Sequence, residues 1–64
     1  MSELKRIRQA AGLSQSKLAD LSQVSVRLIQ DYEQGHKSIN RAASETVYKL
    51  SRALGRQMED LIEK

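Results

Sequence analysis

A chain of 64 residues with no cysteine and a net charge of +3 is a single small domain, because at this size only about 60% of the unfolded surface becomes buried, too little for a second core. Disulfides and thiolate metal sites are excluded, so close helix packing or self-association must hold the fold together. No apolar run approaches the roughly 20 residues of a membrane span, and the opening MSELKRIRQA is charged and amphipathic, unlike a signal segment; the expectation is an unexported, cytoplasmic protein with no membrane partner.

Proline is absent, glycine numbers three, and Ala, Leu, Arg, Lys, Gln and Glu are frequent, which favours helix throughout. Ser2 can cap a first helix over about 2–11, with Leu4, Ile7 and Ala11 at helical spacing and Gly12 as its left-handed stop. Ser14 caps a second, about 14–22, with Leu18 and Leu21 turned inward and Ala19 small enough for close approach of a neighbouring backbone. Ser25 caps a third, about 25–34, whose apolar stripe is Ile29 and Tyr32 and which stops at Gly35. The stretch HKSI then reads as a polar loop, and Asn40 as the cap of a fourth helix over about 40–54. There Ala43, Val47, Leu50 and Leu54 fall at i, i+4, i+7 and i+11 before Gly55. Met58, Leu61 and Ile62 mark a last short helix, about 57–63. The fold class is all-α: a compact five-helix bundle forming one domain over 1–64.

Within 13–35, LSQSKLADLSQVSVRLIQDYEQG, the apolar spacing is helical on both sides of a break that contains neither Gly nor Pro. Two short helices joined by the tight turn SQVS, with a small residue on the first and an apolar one in the turn, make a helix-turn-helix. The break re-aims the second helix so that it projects from the domain, as a major groove requires; that groove is about 12 Å wide and admits one α-helix. Charge agrees with such a partner. Residues 1–56 carry ten Lys/Arg against five Asp/Glu, whereas 57–64 carry one against three, so a basic body points to a polyanion. The aromatics are Tyr32 and Tyr48 alone, which leaves little for stacking unpaired bases and favours double-stranded DNA over single strands.

These residues resemble the Cro/repressor-type (Xre-type) DNA-binding domains of phage and bacterial regulators. The likeness is carried by L-K-x-I-R at 4–8, GLSQSKLA at 12–19, Val24 and Ser25, Ile29, YEQG at 32–35 and ALGxxMEDLI at 53–62, so it spans nearly the whole chain. It implies five helices with the second and third as the reader, a two-fold dimer on a near-palindromic operator, and a bacterial or phage-encoded, nucleoid-associated protein. Two features depart from the pattern. Gln23 stands where the family usually has Gly, so either it takes a left-handed conformation at a cost of about 1–2 kcal/mol or the turn differs. The segment between Gly35 and Gly55 is also somewhat longer.

On the third helix Arg27, Gln30, Asp31 and Gln34 fall at i, i+3, i+4 and i+7, a stripe opposite Ile29 and Tyr32 that is either a solvated face or a reading edge. Arg suits guanine O6/N7, Gln suits adenine N6/N7, and Asp can accept from cytosine N4. By position, the resemblance places base reading on Val26, Arg27, Gln30 and Asp31. Val26 suits a thymine methyl, and Leu28 leans back onto Tyr32 as satellite core. Ser14 and Gln15 open the second helix, where free amides favour a phosphate; Ser14 is also a plain cap, and the family places a phosphate-contacting Gln at position 15. Ser25, Lys17, Lys37, Ser38 and Arg41 complete the candidate phosphate contacts, each with a solvated-surface alternative. Arg8 and Glu33 match a structural ion pair of the family. His36, the one histidine, has no ligand-spaced companions and reads as an exposed loop residue or phosphate contact rather than a metal ligand. Met58, Leu61 and Ile62 are assigned to a homodimer interface shared with the core.

The leading function is a sequence-specific duplex-DNA-binding transcriptional regulator, a repressor or activator. The competing class is an antitoxin-like or anti-repressor protein-interaction module on the same fold, which the apolar Val26 and Leu28 would favour; steep loss of binding with salt separates the two. No activated nucleophile is paired with a base, and no cofactor, metal or small-molecule substrate is implied.

Overall fold

In the computed structural model, which describes residues 2–63, three serines start three helices. The hydroxyl oxygens of Ser2, Ser14 and Ser25 accept the backbone N–H groups of Lys5, Lys17 and Leu28 at 3.0, 3.0 and 3.1 Å, satisfying donors that have no partner inside a helix. The helices that follow are α1 (Glu3–Ala10), α2 (Gln15–Ser22) and α3 (Val26–Gln34). A fourth, α4, runs from Ser44 to Leu54, and two 3-10 turns, Ile39–Arg41 and Met58–Leu61, complete the described residues, which contain no strand.

The all-α expectation therefore holds, but four α-helices and two 3-10 turns replace the five helices. The helix expected over 40–54 starts at Ser44, with no side-chain cap at Ala43. Asn40 is committed elsewhere: its Oδ1 accepts the backbone N–H of Glu63 at 2.8 Å and its Nδ2 donates to the carbonyl of Glu63 at 2.7 Å. The helix expected over 57–63 is reduced to the turn Met58–Leu61 for the same reason. Asn40 holds Glu63 by both backbone groups, and the Glu63 carboxylate accepts the N–H of Glu3 at 2.9 Å. These long-range bonds keep Ile62 extended, at φ −73° and ψ 134°, and the helix cannot continue.

The core is formed by Leu4, Ile7, Leu18, Val24, Ile29, Ile39, Val47, Leu50 and Leu61. Helix α2 packs on both α3 and α4, α1 packs on α3, and the turn Met58–Leu61 closes over α4 and α1. Three inward assignments are corrected: Leu21 is half-exposed, and Ala11 and Ala43 are exposed. The buried face of α2 is Leu18 with Ser22, one turn apart, which rotates Leu21 away. Ile39, read as part of a polar loop, is a core residue. Leu61 is fully buried as well, so of the three residues assigned to a dimer interface only Met58 and Ile62 keep surface.

The turn between α2 and α3 has a definite geometry. Gln23 is left-handed, at φ 62° and ψ 25°, and is the one non-glycine residue with positive φ among those described. Its N–H closes α2 on the carbonyl of Ala19 at 2.9 Å, and its side-chain Nε2 donates to the carbonyl of Asp20 at 2.9 Å. A helix end is thus satisfied twice by one residue, while Val24 drops into the core and Ser25 starts α3. Gln23→Gly and Gln23→Ala both lose the side-chain bond and differ in the left-handed cost, offset in part by the greater freedom of glycine in the unfolded chain. The glycine variant is expected to be the more stable by about 0.5–1 kcal/mol, read as a melting temperature higher by about 2–8 °C.

Candidate nucleic-acid interface

Helix α3 has two unlike faces. Ile29 is fully buried, and Leu28 and Tyr32 are half-buried against the core, which fixes the helix on the domain; complete burial of an Ile side chain contributes about 1.5–3 kcal/mol. On the outer side the Arg27 side chain is 82% exposed, Val26 and Gln34 are exposed, and Gln30 and Asp31 are partly covered. Arg27, Gln30, Asp31 and Gln34 therefore share the outer part of one helix, with Val26 at its start.

Arg8 and Glu33 meet beneath this helix. The Arg8 Nε donates to Glu33 Oε2 at 2.7 Å and Nη2 to Oε1 at 3.0 Å, a two-point contact between side chains 10% and 2% exposed. The Arg8 Nη1 donates to the carbonyl of Leu13 at 2.8 Å, and the Gln15 Nε2 donates to Glu33 Oε1 at 2.9 Å. One carboxylate thus collects α1, the loop after it, the start of α2 and α3. Gln15 also accepts from Gln30 Nε2 at 3.5 Å, the long limit of a hydrogen bond. The inward role of Gln15 escaped the sequence reading. The signal that could have revealed it is acceptor capacity, because a buried carboxylate offers about four lone-pair sites and one Arg fills only two.

The remaining candidates are distributed as follows. Ser14 and Ser25 are exposed caps whose hydroxyls retain a donor. Lys17, Lys37, Ser38 and Arg41 are all exposed, the last in the 3-10 turn that follows α3 in the chain. His36 lies against Asp31, with Nδ1 3.5 Å from Oδ1. No group of three or more His, Cys, Asp or Glu side chains capable of holding a metal occurs among the described residues, and no helix described is long and apolar enough to cross a membrane.

A family model described as helix-turn-helix matches residues 4–61, a range that contains α1 to α4 almost entirely and both 3-10 turns. This chain belongs to that family. The resemblance to Xre-type domains is accordingly shown, and with it the general character of a DNA-binding regulator. Comparison with curated proteins and with solved structures found no significant match.

The buried pair makes a sharp prediction. Truncating one partner leaves the other charge uncompensated, which costs about 3–5 kcal/mol, a large share of the roughly 5–15 kcal/mol available to a domain. Glu33→Ala should therefore melt far below the parent or fail to fold, and Arg8→Met combined with Glu33→Leu should lose less than the two single variants added together. Thermal melts of the parent, Glu33→Ala, Arg8→Met, Glu33→Leu and the double variant check this; unchanged melting of Glu33→Ala would reduce the pair to a surface contact.

Proposed function

We propose that this protein is a sequence-specific double-stranded-DNA-binding transcriptional regulator that lays α3 in the major groove and acts as a homodimer on a near-palindromic operator. The observation that carries the reading is the division of α3. Its inner face is locked into the core by Ile29, while Arg27 stands 82% exposed on the outer side with Val26, Gln30 and Asp31 nearby in the first half of the helix. Arg27 supplies two donors for guanine, Gln30 one donor and one acceptor for adenine N7 and N6, and Val26 an apolar contact for a thymine methyl. Ser14, Lys17, Ser25, Lys37, Ser38 and Arg41, with Gln15 through the amide N–H that Glu33 does not take, are the proposed phosphate contacts, which position without specifying. Lys17, Lys37 and Arg41 are exposed and form no ion pair with a carboxylate among the described residues, as is also true of Lys5, Arg52 and Arg56, so their charge is available to a phosphate. Such a regulator works on the nucleoid in the cytoplasm of a bacterium, or for a phage. The protein-interaction alternative rested on apolar surface at Val26 and Leu28, and it weakens because Leu28 packs against the core.

Dimerisation is proposed because one small module gives little affinity, whereas two reader helices about 34 Å apart gain avidity. Ile62 lines a cleft of about 550 Å³ with Arg6, Arg56, Glu59 and Asp60 around it, and the half-buried Met58 lies in the same segment. Such a mixture of charges around an apolar residue suits the self-complementarity of a two-fold contact. Sedimentation of the free protein and of its operator complex should show a dimer in at least the second; a monomer in both rejects the assembly.

Positioning and reading separate by mutation. Arg27→Ala should cost about 1–3 kcal/mol on the preferred operator, much less on a scrambled duplex, and relax preference at one base pair per half-site. Lys37→Ala should weaken all duplexes alike and lower the salt slope by about 1. A salt series on one labelled operator and one scrambled control measures both. Equal losses on the two duplexes for Arg27→Ala would make Arg27 a backbone contact.

A further inference from the structure

Among the four residues at the reading positions, Asp31 is the one that is both charged and partly covered. Its side chain is 14% exposed, against 82% for Arg27 one turn earlier, so the carboxylate is largely withdrawn from the surface on which a base edge would lie. Its Oδ1 stands 3.7 Å from the Arg27 Nε and 3.5 Å from the His36 Nδ1. His36 is itself held in place, because its backbone N–H donates to the Asp31 carbonyl at 2.9 Å, as does that of Lys37 at 3.2 Å. The end of α3 therefore folds back onto Asp31, covering the carboxylate on one side and leaving Arg27 on the other.

We infer that Asp31 is a positioning residue which orients Arg27 for guanine, and that it does not itself read a base. The inference rests on α3 being the reading helix. It follows from which guanidinium atom faces the carboxylate. The guanidinium nitrogen nearest the carboxylate is Nε, at 3.7 Å, so the terminal Nη1 and Nη2 lie farther from it than that. Two parallel donors of this kind are what guanine O6 and N7 require. A free Arg side chain must surrender considerable rotamer freedom on binding, and a neighbouring, partly covered carboxylate reduces that loss before DNA arrives. The alternative role, accepting a hydrogen bond from cytosine N4, needs an outward carboxylate oxygen, which the 14% exposure does not favour.

An ion pair this exposed on the Arg side contributes little to folding, so Asp31→Asn is expected to fold as the parent does and to leave the backbone bonds of His36 and Lys37 intact. Bound sequences are selected from a random duplex pool by the parent, Arg27→Ala, Asp31→Asn and the double variant. Asp31→Asn should lower the guanine preference about five- to tenfold at the same base pair that Arg27→Ala relaxes and leave the other positions unchanged, and the double variant should be no less selective than Arg27→Ala alone. A change at a different base pair would show that Asp31 reads a base itself, and no change at any position would make the contact incidental; either result overturns the inference while α3 remains the reader. If the parent selects nothing from the pool, the proposed function and this inference fall together.

Discussion

The Arg8–Glu33 contact is the constraint on which the position of α3 depends. Three protein donors converge on one carboxylate, and the third branch of the guanidinium holds the carbonyl of Leu13. The start of the chain, from α1 to the first residue of α2, is thereby tied to α3, which lies 18 to 25 residues further on. Apolar contact alone would hold α3 to the core but would leave its rotation about its own axis less strictly defined, because hydrophobic burial is non-directional whereas hydrogen bonds are not. Such a pair is costly to desolvate, and apolar residues of similar volume often serve stability as well or better. Orientation of α3 is accordingly the contribution for which the ion pair is suited.

Short helices make that orientation necessary. At eight or nine residues, α1, α2 and α3 are below the roughly 12–15 residues at which an isolated helix becomes even marginal in water. Each is sustained by a serine cap at one end and by burial along one face. The left-handed Gln23 belongs to the same economy. It accepts backbone strain to stop α2 within a single residue, and its side chain then satisfies a carbonyl that the helix end would leave free. Glycine would form the turn with less strain but without that bond.

Features set by neighbours in sequence were legible, and those set across the fold were not. The serine caps, the stops at Gly35 and Gly55 and the core positions Leu4, Ile7, Leu18, Ile29, Val47 and Leu50 follow from local spacing, and the structure contains them. The Arg8–Glu33 pair was legible through the resemblance, since nothing in the spacing of two charges 25 residues apart announces a contact. Asn40 was misjudged because the nearest polar residue before an apolar run resembles a cap, while its true partner, Glu63, is 23 residues away. Ile39 had no periodicity to declare it, being one apolar residue in a polar stretch. At the site itself, the polar stripe of α3 was visible as residue types. The withdrawal of Asp31 behind Arg27 and His36 was not, since it depends on how the chain turns after Gly35.

This arrangement ties recognition to global stability. Ile29, fully buried, is on the same two turns of helix as Arg27 and Gln30, and Glu33 follows one turn later, so α3 cannot fray without exposing a core side chain and unpairing a buried carboxylate. Local opening is cheapest where few buried contacts are lost, and the first half of α3 is not such a place. The outer surface of α3 is consequently either present as a rigid whole or lost with the domain. A rigid surface meets a ligand with its conformational cost already met by folding, which leaves more of the contact energy for binding. By the same linkage, a ligand that binds only the folded state stabilises it in proportion to the logarithm of its concentration, so DNA bound to α3 would act on the Arg8–Glu33 pair and the core beneath it as much as on the residues it touches.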